Sequence, residues 1–170
     1  MGRLVNTRWL YRAFRRLTPK NIIEELRLMA VETYIYFNGN CREAVEFYVK
    51  VFGTEKPQIM TFGDTPPDPK FPLPEEAKAL IMHTQLKITG STVMFSDVFP
   101  SMPFVAGNNI SLTIISKDID EIKTIFSKLK EGGTVGMDLQ ETFWSKCYGS
   151  LTDKFGIPWQ FSHDDGKMGR

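Results

Sequence analysis

Histidine and cysteine are both scarce in this chain, two of each in 170 residues. Cys41 and Cys147 lie far apart and outside any CxxC, which excludes a disulfide framework and a thiolate zinc site. Such isolated thiols are expected to be packing residues in a reducing, cytoplasmic compartment. His83 and His163 alone leave little imidazole for a metal centre. No apolar run approaches the length of a membrane span, so no membrane partner is expected. A strand followed by GxGxG and a helix, the mark of an adenosyl-cofactor site, is also missing. Gly132, Gly133 and Gly136 follow an expected helix instead of opening one.

Acidic residues are absent from the first twenty positions. Residues 1–28 carry seven basic groups and two acidic ones, against fourteen basic and eighteen acidic in the remainder. The body is therefore mildly acidic, and no basic stripe for nucleic acid is expected. Leu4, Trp9, Leu10, Phe14 and Leu17 fit one apolar face of a short helix before Pro19. Three readings of this segment stand: a basic amphipathic helix, a transit peptide, or an extension outside the working protein. The third is preferred. The purine-rich codons of Glu24-Glu25, just before Met29, suit a ribosome-binding site for a start at Met29. The expected division is an extension over 1–28, a domain over 29–165 and a tail over 166–170.

What is present is a repeat. TYIYFNGNCREAVEFYVKVFG, from Thr33, opens with strand-prone residues. Asn40 and Glu43 then stand at capping-box spacing. Ala44, Phe47 or Tyr48, and Val51 recur at helical spacing, and Gly53 supplies the stop. ISLTIISKDIDEIKTIFSKLKEGG, from Ile110, repeats the plan. Its cap pair is Asp118 and Glu121, its apolar face is Ile122, Ile125 or Phe126, and Leu129, and its stop is Gly132-Gly133. Strand-like stretches follow each helix, and their ends rhyme: VMFSD (93–97) against WQFSH (159–163). Two β-α-β-β-β modules, over 32–98 and 109–163, are the economical reading of an α+β chain. A generic α+β domain with a chance repeat is the alternative.

YFNGNCREAVEFYVKVFG, MHTQLKITGSTVMFSD and LQETFWSKCYGSLTDKFGIPW together resemble the PhnB-like branch of the vicinal oxygen chelate superfamily, the glyoxalase/bleomycin-resistance group. The likeness runs from Thr33 to His163. It implies two βαβββ modules whose curved sheets enclose a cavity, and a homodimer. In family members a divalent metal held by His or Glu chelates two neighbouring substrate oxygens. Some relatives carry the label of a ubiquinone-pathway methyltransferase, a role ranked last here.

In the family, the first-strand ligand lies about seven residues before the helix cap, which implies Thr33 and Ser111. The last-strand ligand lies four residues after the turn glycine, which implies Gln160, and the internal rhyme pairs it with Met94. Thr33, Met94, Ser111 and Gln160 are poor ligands for zinc or non-haem iron. The expected protein is thus a binder of a small organic ligand with no metal and no cofactor. The alternative is a lyase, isomerase or dioxygenase, with or without a divalent metal. Gln160, Met94, Gln85, Phe143 and Trp144 are the candidate ligand-binding residues. Two residues are candidates for acid–base work. Glu141 is the one acid beside Phe143 and Trp144. His83 lies on a strand whose alternation puts it with Ile81, Gln85 and Lys87, opposite the more apolar Leu80, Met82, Thr84, Leu86 and Ile88. It is read either as a structural imidazole or as a general base.

Overall fold

The computed structural model describes residues 31–70 and 72–166. The extension over 1–28 and nearly all of the tail lie outside them. The first half runs β1 (Thr33–Phe37), α1 (Cys41–Phe52), β2 (Ile59–Thr61), β3 (Ile81–Ile88) and β4 (Ser91–Asp97). The second runs β5 (Leu112–Ser116), α2 (Ile119–Leu129), β6 (Thr134–Gln140), β7 (Tyr148–Thr152) and β8 (Pro158–His163). Each half is a βαβββ module, and the chain is α+β. The two sheets have the orders β1-β4-β3-β2 and β5-β8-β7-β6, with β1 parallel to β4 and β5 parallel to β8. The rhyming stretches 93–97 and 159–163 are most of β4 and most of β8, each an interior strand of its sheet. Paired on both sides, they carry the most constrained positions.

The helices cover one face of the sheets. On α1, Ala44, Tyr48 and Val51 are buried while Phe47 is only half-buried, which settles the spacing in favour of Tyr48. On α2, Ile122, Ile125, Phe126 and Leu129 are all buried. The Tyr48 ring lies 5.8 Å from both Phe95 on β4 and Trp159 on β8, so one residue of the first module packs on both sheets. Its hydroxyl donates to Asp153 Oδ2 at 2.7 Å, and Trp159 Nε1 donates to the same oxygen at 2.8 Å. Gly53 takes φ 62° at the end of α1, the left-handed stop expected there. Among the described residues no helix is long and apolar enough to cross a membrane.

Two local expectations need correction. Asn40 makes no side-chain cap bond. The amides of Gly39 and Cys41 instead donate to Asp97 Oδ1 at 2.9 and 3.0 Å, so the cap of α1 comes from the end of β4. In the second module the cap is local, as expected: Asp118 accepts from the amides of Asp120 and Glu121. The alternation of β3 also breaks. Ile81, expected on the polar face, is fully buried, while Thr84, Leu86 and Ile88 are buried as expected. The pairing with β2 shifts between Met60↔His83 and Thr61↔Ile81, leaving Met82 as an extra residue. Such a bulge moves every residue before it to the opposite face.

Candidate functional site

Side chains facing away from the helices define the open faces. On the first sheet these are Tyr34 and Tyr36 of β1, Met94 of β4 and His83 and Gln85 of β3, with Met60 of β2 opposite His83. On the second they include Thr113 of β5, Gln160 of β8 and Tyr148 and Ser150 of β7. The two registers are equivalent. Gln85 pairs with Met94 as Ser150 pairs with Gln160, and Tyr34 pairs with Met94 as Thr113 pairs with Gln160. The same count makes Tyr148 the counterpart of His83.

The second sheet holds the better-connected group. Gln160 lies between two hydroxyls: Tyr148 Oη donates to its Oε1 at 2.8 Å, and its Nε2 donates to Ser111 Oγ at 2.5 Å. All three residues are half-buried. The Tyr148 ring meets Trp144 edge-on at 5.4 Å, and Trp144 meets Phe143 edge-on at 4.5 Å. Phe143 is 98% exposed, so this aromatic row runs from the sheet out to solvent. It is carried by the loop between β6 and β7. That loop is closed by Thr142, whose amide donates to Ser145 O at 2.8 Å and whose hydroxyl accepts from Ser145 N at 3.2 Å. The buried Ser145 hydroxyl shares its one proton between the carbonyls of Cys147 and His163 and accepts from the His163 amide at 3.0 Å, tying the loop to both neighbouring strands.

The first sheet holds a looser group. Tyr34 Oη lies 3.3 Å from His83 Nδ1, and the Tyr34 and Tyr36 rings stack at 5.0 Å. Met94 and Gln85 are their neighbours across the strands.

The structure thus separates the sequence candidates into two groups. Gln160, Trp144 and Phe143 belong to the second sheet, joined by Ser111; His83, Gln85 and Met94 belong to the first. Glu141 is exposed in the loop after β6 and takes no part in the Gln160 hydrogen bonds. Thr33 does not join either group, because the open face of β1 is that of Tyr34 and Tyr36. The reason is one residue of loop. β1 ends at Phe37, three positions before Asn40, whereas β5 ends at Ser116, two before Asp118. Counting back equally from the two caps therefore lands on opposite faces, and the counterpart of Ser111 is Glu32. Tyr148 escaped the sequence reading, although a signal existed: it precedes Gln160 by twelve residues as His83 precedes Met94 by eleven. The longer turn at Asp153–Gly156 hides that parallel.

The two thiols are unsuited to attack. Burial pushes the Cys41 thiol far above its ordinary range, with the Asp97 carboxylate adding to the shift. Burial also raises the Cys147 thiol. Among the described residues no group of three or more His, Cys, Asp or Glu is placed to hold a metal ion.

Comparison with known proteins decides the family. The profile described as 3-demethylubiquinone-9 3-methyltransferase matches residues 29–162. The chain belongs to that family, the PhnB-like branch of the vicinal oxygen chelate superfamily. Protein YjdN of Escherichia coli (strain K12) is 32% identical over 143 residues, covering 79% of this chain and 95% of its own length. The crystal structure of protein PA1353 from Pseudomonas aeruginosa has a TM-score of 0.70 and 33% identity, covering 79% of this chain and 97% of its own. A PhnB protein from Bacillus cereus, described as a putative 3-demethylubiquinone-9 3-methyltransferase, has a TM-score of 0.62 and 25% identity, covering 79% and 99%. The methyltransferase description is a family name. In this PhnB-like chain α2 ends at Leu129 with Lys130 as its cap, so Gly132 and Gly133, expected as the stop, lie in the turn beyond it. A Cβ on Gly133 would lie 2.4 Å from the Thr152 carbonyl oxygen, so a packing need accounts for that glycine.

Proposed function

We propose that this PhnB-like protein binds a small organic ligand on its open sheet faces and works without a catalytic metal. The observation that carries the reading is Gln160. At the position where the family implies a metal ligand, the chain offers a neutral amide whose oxygen and nitrogen are both engaged, by Tyr148 and Ser111. Of the other inferred positions, Met94 offers a thioether, Ser111 a hydroxyl, and the corrected count replaces Thr33 by Glu32, a single carboxylate. Such a donor set suits neither zinc nor iron, and a divalent ion here would keep most of its water. The residues therefore do not fit a catalytic divalent ion.

Two further features support the reading. The Phe143–Trp144–Tyr148 row supplies the large rings that line ligand sites. Exposed Tyr34, Tyr36, Met60, Ile115 and Met137 on the open faces suit cover by a second copy in a homodimer. Two buried free thiols suit a cytoplasmic protein.

A second reading rests on one contact. The Tyr34–His83 pair at 3.3 Å would supply the acid–base couple of a metal-free enzyme. Among the described residues Glu141 makes no comparable contact, and a methyltransferase role has no residue-level support.

Elemental analysis of freshly purified protein is the test. Well under one equivalent of zinc, nickel, manganese or iron is expected, with no change in Tm on adding chelator. A stoichiometric metal displaced with loss of an activity overturns the metal-free reading.

A further inference from the structure

The hydrogen bonds of the Gln160 group have a direction, and the direction constrains what binds. Tyr148 spends its proton on Gln160 Oε1, so its oxygen is left only as an acceptor. Ser111 Oγ accepts from Gln160 Nε2, so its own proton remains free to donate. The two oxygens are already bridged by one planar amide from within the sheet. A second amide on the open side would find complementary groups there, Ser111 for its carbonyl and Tyr148 for its N–H. Beside them stands the edge-to-face row of Trp144 and Phe143, a wall for a flat ring. None of the residues of β5, β6, β7 or β8 is Lys or Arg, so those strands offer no counter-charge to an anion.

We propose that Ser111, Gln160 and Tyr148 form a recognition site for the edge of a neutral cyclic amide, whose ring lies against Trp144 and Phe143. This rests on the binding-protein reading above and adds the ligand class. Gln160 acts here as a positioning residue, because it sets which hydroxyl donates and which accepts.

Three probes test it on the full chain by isothermal titration. Quinolin-2-one presents the matching carbonyl and N–H. N-methylquinolin-2-one keeps the ring and the carbonyl but loses the donor. Quinoline-2-carboxylate replaces the amide edge with an anion. Quinolin-2-one is expected to bind at least about tenfold more tightly than either of the others, the size of one lost neutral hydrogen bond. Ser111→Ala and Tyr148→Phe should each weaken it by about tenfold. Gln160→Glu should weaken quinolin-2-one about as much as Ser111→Ala, since a carboxylate only accepts and draws both hydroxyl protons to itself, which leaves the ligand carbonyl without a donor. Near-UV circular dichroism checks that the variants stay folded, and the three-probe comparison on the unmodified protein needs no variant.

Equal binding of the quinolinone and its N-methyl form overturns the inference, as does unchanged affinity in both hydroxyl variants. Failure of all three probes to bind also overturns it. None of those results touches the metal-free reading, which fails on metal content alone.

Discussion

Asp153 is only 3% exposed, yet accepts four hydrogen bonds. They come from Tyr48 Oη, Trp159 Nε1 and the amides of Phe155 and Ile157. A buried carboxylate persists only when its lone pairs are met in this way. Tyr48 belongs to the first module and the other donors to the second, so this residue also joins the halves. Tyr48→Phe removes one donor and leaves the rest, and should lower stability by roughly 1–3 kcal/mol. Asp153→Asn should lower it further, because an amide nitrogen would face donors. Urea denaturation of the two variants gives the order, and a milder effect of Asp153→Asn would contradict it. The same group sets a pH dependence. Burial is the main cause holding the Tyr48 phenol above its ordinary range, and the Asp153 charge and hydrogen bond push the same way. The Cys41 thiol is raised as well, mainly by burial. Both groups stay protonated in the folded chain at pH values where they ionise in the unfolded one. Their contribution is therefore complete below about pH 8.5, where unfolded cysteine begins to titrate, and falls above it, more steeply beyond about pH 10. Thermal melts from pH 7 to 11 should show that decline, and Tyr48→Phe should flatten its upper part.

At the level of elements, the two helices illustrate equal sequence signals with unequal outcomes. Asn40 and Asp118 both sit at the expected cap, but only Asp118 caps. Asp97 takes over the first helix and also accepts from the Ile81 amide at 2.9 Å, so it pins β3 to the start of α1. Asn40→Ala should change stability by less than about 0.5 kcal/mol, the range of ordinary surface substitutions. Asp118→Ala should cost about 1 kcal/mol, as for a working cap. Asp97→Asn should cost more than either, since an amide has one acceptor oxygen where three amides need two. Chemical denaturation of the three variants measures the ranking, and a costly Asn40→Ala would restore the local cap. In the second module the position of Asp97 is held by His163. The cap then falls to Asp118 itself, and Ser116 accepts from the Asp118 amide while donating to Glu121.

For the whole molecule, each sheet packs one face on the helices and leaves the other with large exposed side chains. Tyr36 is 56% exposed and Met60 49%. Exposed apolar groups gathered on one face mark contact surfaces. Sedimentation at micromolar concentration should find a species near twice the chain mass of 19.5 kDa. Tyr36→Glu should shift it toward monomer with little change in the fold of each chain. A single species at the chain mass, unchanged on concentration, would exclude the dimer.

The helices, the glycine stop of α1 and the order of strands could be read from sequence because their causes are local. Periodic apolar residues, a glycine at a left-handed position and β-branched runs act within a few neighbours. The rhyme of 93–97 with 159–163 was legible for a related reason: both are interior strands, and pairing on two sides restricts what they carry. Gln160 was legible as the altered position. Its partners were not, because Tyr148 and Ser111 reach it from other strands, through a register that one extra turn residue disguises. The same limit explains Thr33, displaced by one loop residue, and Ile81, turned inward by the Met82 bulge. Asp97, at the end of β4, and Asp153, in the turn before β8, become multiple acceptors only once folding brings distant donors to them. Sequence determined the elements, since short-range sterics and periodic burial dictate them. Tertiary structure alone decided which polar atoms meet, because hydrogen bonds between strands depend on register, and register is set by the pairing of distant segments.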